Sequence, residues 1–193
     1  MTASADDPHI GLVVEGRGDA GALPLLLRKW INSRGDYRDL LGRPVVCDGR
    51  DRAIVPDGIE KYVAVAAARP GCQAVLVVLD AEGDPACELG PVLLTRAGKN
   101  TRLPVAICLA ERYWEDWLYA SIETLELGSD VEYSPNKRGL GAIVKVLPGK
   151  YVKPTWQPRL TNRVDINTAT QRSKSLKRML ERFDALLAHM PPG

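Results

Sequence analysis

The run "CQAVLVVLD", residues 72–80, is apolar but for one glutamine and stops abruptly in an acid. A short, continuous, Val/Leu-rich run of this kind reads as a strand buried on both faces. Strands buried on both faces occur where helices cover a parallel sheet from above and below, which excludes most other architectures. Two further runs match it, "HIGLVVEG" from residue 9 and "LPVAICLA" from residue 103, and "RPVVCDG" from residue 43 is a shorter version. Helical spacing falls between them. It covers "DAGALPLLLRKWINS" from Asp19 to Ser33, with Pro24 tolerable only early in the helix or at a kink, and "PDGIEKYVAVAAARPG", with Pro56 in the first turn. Ala86–Ala97 forms another helix, and "ERYWEDWLYASIETL" resumes the spacing through Trp114, Trp117 and Leu118. Strand and helix thus alternate to about residue 126, which predicts an α/β fold with a Rossmann-like, mainly parallel central sheet flanked by helices.

The alternation then stops. Residues 1–127 read as the α/β domain and residues 128–193 as a basic C-terminal segment packing on the same domain. That segment is rich in Gly, Pro, Lys and Arg and is expected to be largely irregular, with one short helix near 139–147. "NTATQRSKSLKRMLERFDALLAHM" closes it as an amphipathic helix, with Leu176, Met179, Leu180, Phe183, Leu186 and Leu187 on one face. Charge divides at the same place. Residues 1–133 hold 14 Lys/Arg and 21 Asp/Glu; residues 134–193 hold 12 Lys/Arg and 3 Asp/Glu. An acidic body with a basic end suits an anionic partner held by one part and acted on by the other, although a solvated basic face has the same composition. No apolar stretch approaches the roughly 20 residues of a membrane helix, and "MTASADDPH" has no secretory features. The widely spaced Cys47, Cys72, Cys87 and Cys108 suit a reducing cytoplasm better than a disulfide framework.

Ligands of such sheets collect at the carboxyl ends of the strands. Glu15 and Asp80 stand there, followed by Asp19 in one loop and by Glu82 and Asp84 in the other. Crowded carboxylates repel one another unless a cation neutralises them, and Mg²⁺ or Mn²⁺ favours such oxygen ligands. If the turn after Asp80 is extended, Glu82 points to the same side. Glu111 and Glu115, four apart, would share a helix face. Taken singly, each acid could instead cap a helix or stay solvated. His9 and His189 read as structural or surface residues, and neither a nucleophile elbow nor a phosphate-binding P-loop is present.

"VVEGRGDAG" followed by "VVLDAEGDP" resembles the Toprim fold of primases, topoisomerases and OLD-type nucleases. With "LAERYWEDWLYAS", "NKRGL" and "KPTWQPRLTNRVDINTATQRSKSLKRML", the chain is similar to the Toprim-like DUF4276 group from residue 9 to about 183. The resemblance implies Glu15 and Asp80 as catalytic residues. Glu15, Asp19, Asp80, Glu82, Asp84 and Glu115 are its implied holders of Mg²⁺ or Mn²⁺. Glu82, one methylene longer, stands where the family's DxD has its second aspartate. The implied activity is divalent-metal-dependent phosphodiester cleavage, on DNA ahead of RNA, in bacterial phage defence or DNA repair. A separate AAA- or ABC-type ATPase is the implied partner, and self-association is a further expectation. Lys137, Arg138, Lys150, Lys153, Arg172 and Lys174 are the expected nucleic-acid contacts, with Tyr151 and Trp156 available for stacking. Arg172 and Ser173 match a recurrent stretch of the resembled group. A non-catalytic nucleic-acid-binding subunit with a degenerate metal site is the alternative. A phospho-receiver fits poorly, because strand one is followed directly by one acid and "LPVAICLAE" lacks a terminal lysine.

Overall fold

The structure is a computed structural model that describes residues 7–128 and 131–192. Four parallel strands, β1 (His9–Val14), β2 (Val45–Val46), β3 (Cys72–Asp80) and β4 (Val105–Ala110), form one sheet in the order β2-β1-β3-β4. Val14 lies opposite Val46 and Val78, and Val78 lies opposite Cys108, so the strands end nearly level. The alternation of side chains divides the core in two. Leu12, Val14, Leu76, Val78 and Cys108 face a layer containing α1 (Arg17–Asn32), while Val13, Val75, Val77, Ile107 and Leu109 face α3 (Gly58–Ala67) and α4 (Ala86–Ala97). Both faces of β1, β3 and β4 are therefore dry, as the unbroken apolar runs require. Among the described residues no helix is long and apolar enough to cross a membrane.

Helix α1 runs unbroken through Pro24, deep in its third turn. The lost backbone bond costs about 3 kcal/mol, and the complete or near-complete burial of Leu23, Leu26, Leu27 and Ile31 offsets it. Pro56 is not in a first turn. It falls between a short α2 (Arg50–Ile54) and α3, where Gly58 approaches the Arg52 and Ala53 carbonyls too closely for any side chain. Helix α5 is also shorter than its spacing suggests, Trp114–Tyr119, with a 3₁₀ turn at Ile122–Thr124. Glu111 precedes α5 and shares no helix face with Glu115.

The C-terminal third corrects the expected irregular excursion. Besides α6 (Gly139–Val146), it forms α7 (Lys153–Arg163), α8 (Ile166–Arg172) and α9 (Lys174–Leu187). Pro154 suits the first turn of α7, while the core positions of this helix are Gln157, Leu160 and Thr161, so no apolar period marks it. The single C-terminal helix is broken at Ser173. Its backbone is extended there, and its hydroxyl accepts the Leu176 N–H at 3.2 Å as the N-cap of α9. Leu176, Met179, Leu180, Phe183 and Leu186 are buried on the α1 side of the sheet.

Helix α7 lies directly on α1. Added side-chain carbon at Gly18 would stand 1.9 Å from Gln157 Oε1, and at Gly21 it would stand 2.7 Å from Pro158 Cγ. Lys29 of α1 closes the far end, donating to the Asn162 and Val164 carbonyls at 2.9 and 2.7 Å. Gly18→Ala must therefore push α7 outward, because backbone of Lys153 lies 3.0 Å from the new carbon as well. The expected loss is about 1–3 kcal/mol in urea unfolding; unchanged stability would show that the two helices do not meet this closely.

Candidate functional site

Chain direction brings the ends of β1 and β3 side by side, and Glu15 and Asp80 stand at that edge. Glu15 Oε2 accepts the Asp80 backbone N–H at 3.3 Å, tying one strand end to the other. Asp80 is 5% exposed, and its Oδ1 accepts the Trp114 N–H at 2.8 Å where α5 begins. Asp19, 7% exposed, bends back to accept the Gly16 N–H through Oδ2 at 2.9 Å, so the glycine turn and the first turn of α1 fix its place. Glu115 is wholly buried. Its Oε1 accepts Tyr151 Oη at 2.6 Å and Gln157 Nε2 at 3.0 Å.

One cation sits among these acids. Lys153 Nζ lies 3.6 Å from Asp80 Oδ2 and is attracted by Glu115, Asp19 and Glu15 as well. Burial opposes its charge, but the four carboxylates together hold its pKa above the usual lysine value. For Asp80, burial first and the charges of Glu15, Asp19 and Glu115 next push the carboxyl up to about 8, with Lys153 only partly opposing them. Burial likewise raises Asp19 and Glu15, and it raises the Tyr151 phenol, reinforced by Glu115. Glu115 Oε2 and Gln157 Oε1 are buried without a hydrogen-bond partner, and Asp19 Oδ1 meets no donor in bonding geometry, although the Gln157 amide beside it still works to lower the Asp19 pKa. The cluster thus holds more negative charge, and more acceptor oxygen, than the protein itself satisfies.

That surplus is the chemistry a hard divalent cation fits: carboxylate oxygens, two of them buried and unsatisfied. Among the described residues, however, no three Asp, Glu, His or Cys side chains are arranged to hold a metal ion as they stand. Their carboxylates are spread around the Lys153 ammonium instead.

The expected set of acids is split. Glu15, Asp19, Asp80 and Glu115 come together, whereas Glu82 and Asp84 turn outward. The turn after β3 is not extended, because Glu82 adopts a left-handed backbone (φ 53) and Gly83 follows at φ 106. Arg50, itself 8% exposed, then collects the pair: it ion-pairs with Asp84, lies 4.0 Å from Glu82, and donates to the Asp80 carbonyl at 3.0 Å. Glu82 and Asp84 side chains remain 42% and 54% exposed, against 6% for Asp80. Glu82 still acts on Glu15 through its charge.

The expected basic contacts divide as well. Lys153 belongs to the acid cluster, and Tyr151 serves Glu115 as a hydrogen-bond donor instead of offering a free ring for stacking. Arg172 does not face the acids of the site. It pairs with Glu123 at 2.7 Å, donates to the Ala120 carbonyl at 3.1 Å, and lies 4.8 Å over the Tyr133 ring. Lys137, Arg138, Lys150 and Lys174 are exposed and form no salt bridge among the described residues. The first two lead into α6, where Gly139 rests against the Glu115 and Asp116 backbone, and Lys150 precedes Tyr151. Sequence reasoning missed Arg50 and Gln157. Neither carries a signal in sequence, since both act through tertiary placement alone.

Comparison with protein-family models, with curated proteins and with solved structures gives no match.

Asp80 makes the site's electrostatic cost measurable. Its folded pKa of about 8 lies above the ordinary 3.8, so the folded chain holds more protons than the unfolded one between those values. Stability therefore falls as pH rises through that window and the penalty is complete above it. In EDTA, Asp80→Asn, which keeps the acceptor for Trp114, should raise Tm at about pH 9 by about 3 °C or more, corresponding to about 1 kcal/mol. The gain should shrink by more than half at about pH 5. An equal gain at both pH values would contradict an elevated Asp80.

Proposed function

We propose that the chain is a Toprim-type, divalent-metal-dependent nuclease cleaving phosphodiester bonds, on DNA ahead of RNA. The observation that carries the reading is the quartet formed by the half-buried Glu15 and the buried Asp19, Asp80 and Glu115, gathered where β1 and β3 end and α1 and α5 begin, with buried carboxylate oxygens on Asp19 and Glu115 that meet no hydrogen-bond donor. These four would hold Mg²⁺ or Mn²⁺. Such an ion lowers the pKa of an attacking water and steadies the leaving oxygen. Lys153 supplies a positive charge for a non-bridging phosphate oxygen once it leaves Asp80. Tyr151 and Gln157 hold Glu115 in a fixed orientation from below. The DUF4276 resemblance supports the same reading and adds a separate AAA- or ABC-type ATPase as partner, in phage defence or DNA repair.

A second reading has its own support. Lys153 already stands 3.6 Å from Asp80 in the place a metal would take, and Glu82, at the second position of the expected DxD, is engaged with Arg50. A nucleic-acid-binding subunit with a degenerate metal site would look like this.

Purified protein incubated with plasmid DNA and, separately, RNA, in Mg²⁺, Mn²⁺ or EDTA, separates the two. The nuclease reading expects metal-dependent cleavage that falls at least about a hundredfold in Asp80→Asn and in Glu15→Gln. Nucleic-acid binding without metal-dependent cleavage supports the inert subunit. Calorimetric titration with Mn²⁺ probes the site independently of turnover. Lys153→Met removes the resident cation and should tighten Mn²⁺ binding by about tenfold, whereas weaker binding would mean that the lysine does not compete for the acids.

A further inference from the structure

Helix α7 carries two functional faces. Lys153 and Gln157, one turn apart, look into the acid cluster. Trp156, Arg159 and Arg163 fall within an arc of roughly 60° about a quarter-turn away. They line a separate open cleft of about 520 Å³, whose opposite wall is formed by Leu127 and Pro148. The walls of this cleft are fixed. Arg163 donates to the Leu125 carbonyl at 3.0 Å and pairs with Glu126 at 3.4 Å, joining the 125–127 segment to α7. The Trp156 indole is oriented by its own N–H, which donates to the Lys150 carbonyl at 3.2 Å.

The chemistry of the lining is specific. Arg159 is exposed, lies 5.8 Å from the Trp156 ring centroid, and has no acidic partner among the described residues. Arg163, by contrast, is neutralised by Glu126. The cleft therefore offers one half-buried indole, a guanidinium that lies over its ring without an acidic partner, and Leu127 and Pro148 on the far side next to the Glu126 carboxylate that Arg163 holds. A nucleobase stacks on an aromatic face and a neighbouring phosphate pairs with arginine, without regard to sequence. A base can lie on the indole only when it is free of its neighbours in a duplex stack. Arg159 stands about 9 Å along the helix axis from Lys153, so a strand gripped at the cleft would reach the acid cluster within a short span.

We infer that this cleft binds single-stranded nucleic acid, with an unpaired base on Trp156 and its phosphate on Arg159. The inference rests on the nuclease reading only in treating the gripped strand as the substrate. The test is accordingly done in EDTA, where no cleavage is required. A fluorescein-labelled oligothymidylate and the matching oligouridylate are titrated with protein at low salt and followed by fluorescence anisotropy, which separates DNA from RNA. Trp156→Ala and Arg159→Glu should each weaken binding by at least about tenfold, with Trp156→Phe retaining most of it. Arg102→Glu, the same charge change at an exposed residue just before β4, should stay within about twofold of the native protein. Circular dichroism checks the fold of each variant, and Arg159, being exposed, keeps the test valid even if Trp156→Ala unfolds. Native-like binding by Arg159→Glu, equal losses in Arg159→Glu and Arg102→Glu, or no binding of either oligonucleotide by the native protein would each overturn the inference. Cleavage of plasmid or RNA in metal would still decide the nuclease reading on its own.

Discussion

The close contact of α1 with α7 is the constraint on which the site depends. Two glycines in α1, Gly18 and Gly21, leave room for Gln157 and Pro158, so the helix backbones approach where side chains would hold them apart. That approach delivers Gln157 and Tyr151 to Glu115 and Lys153 to Asp80. Without it the sheet would present acids alone. Gly18 also lies one residue before Asp19, so the same turn that fixes the acid makes space for the group that neighbours it.

Like charges are gathered here against their own repulsion, and the fold shows where the opposing free energy comes from. Backbone N–H groups of Gly16, Asp80 and Trp114 each bond a carboxylate, and one ammonium serves four acids. What is left over appears as the elevated Asp80 and as buried oxygens with no partner. A region that only had to fold could have replaced these acids with apolar groups at lower cost. Retained strain of this kind marks functional sites more often than structural ones. The division of charge along the chain has a local counterpart. The acidic body supplies the quartet and the basic end supplies Lys153, together with Arg159 on the same helix, which lies over Trp156 and has no acidic partner among the described residues.

The parallel sheet was legible because the short runs "GLVV", "AVLVVL" and "VAICL" are rich in Val, Leu and Ile, end in acids or turns, and alternate with stretches of helical spacing. Glu15 and Asp80 followed directly, since strand ends in such sheets converge. The site's other half was not legible. Helix α7 buries Gln157 and Thr161 where a period needs leucine, and Pro158 stands inside it, so its sequence resembles a loop. The outward path of Glu82 depended on a left-handed residue that glutamate seldom adopts, and Arg50, which draws it away, lies thirty-two positions earlier. Ser173 ended one helix and began another within a continuous amphipathic pattern that concealed the break.

The pairing of Asp19 with a helix that begins at Lys153 has a consequence for how the molecule comes into being. All four strands and all four acids precede residue 120, so the sheet and its charged edge emerge from the ribosome before their counter-ion exists. A nascent chain at that stage holds an open, strongly acidic rim and lacks α7 and α9, which complete the α1 side of its core. Contacts between residues so distant in sequence carry a loop-closure cost that must be met before they reward it. The residues that complete the site and those that complete the α1 side of the core therefore lie on the same late stretch of chain.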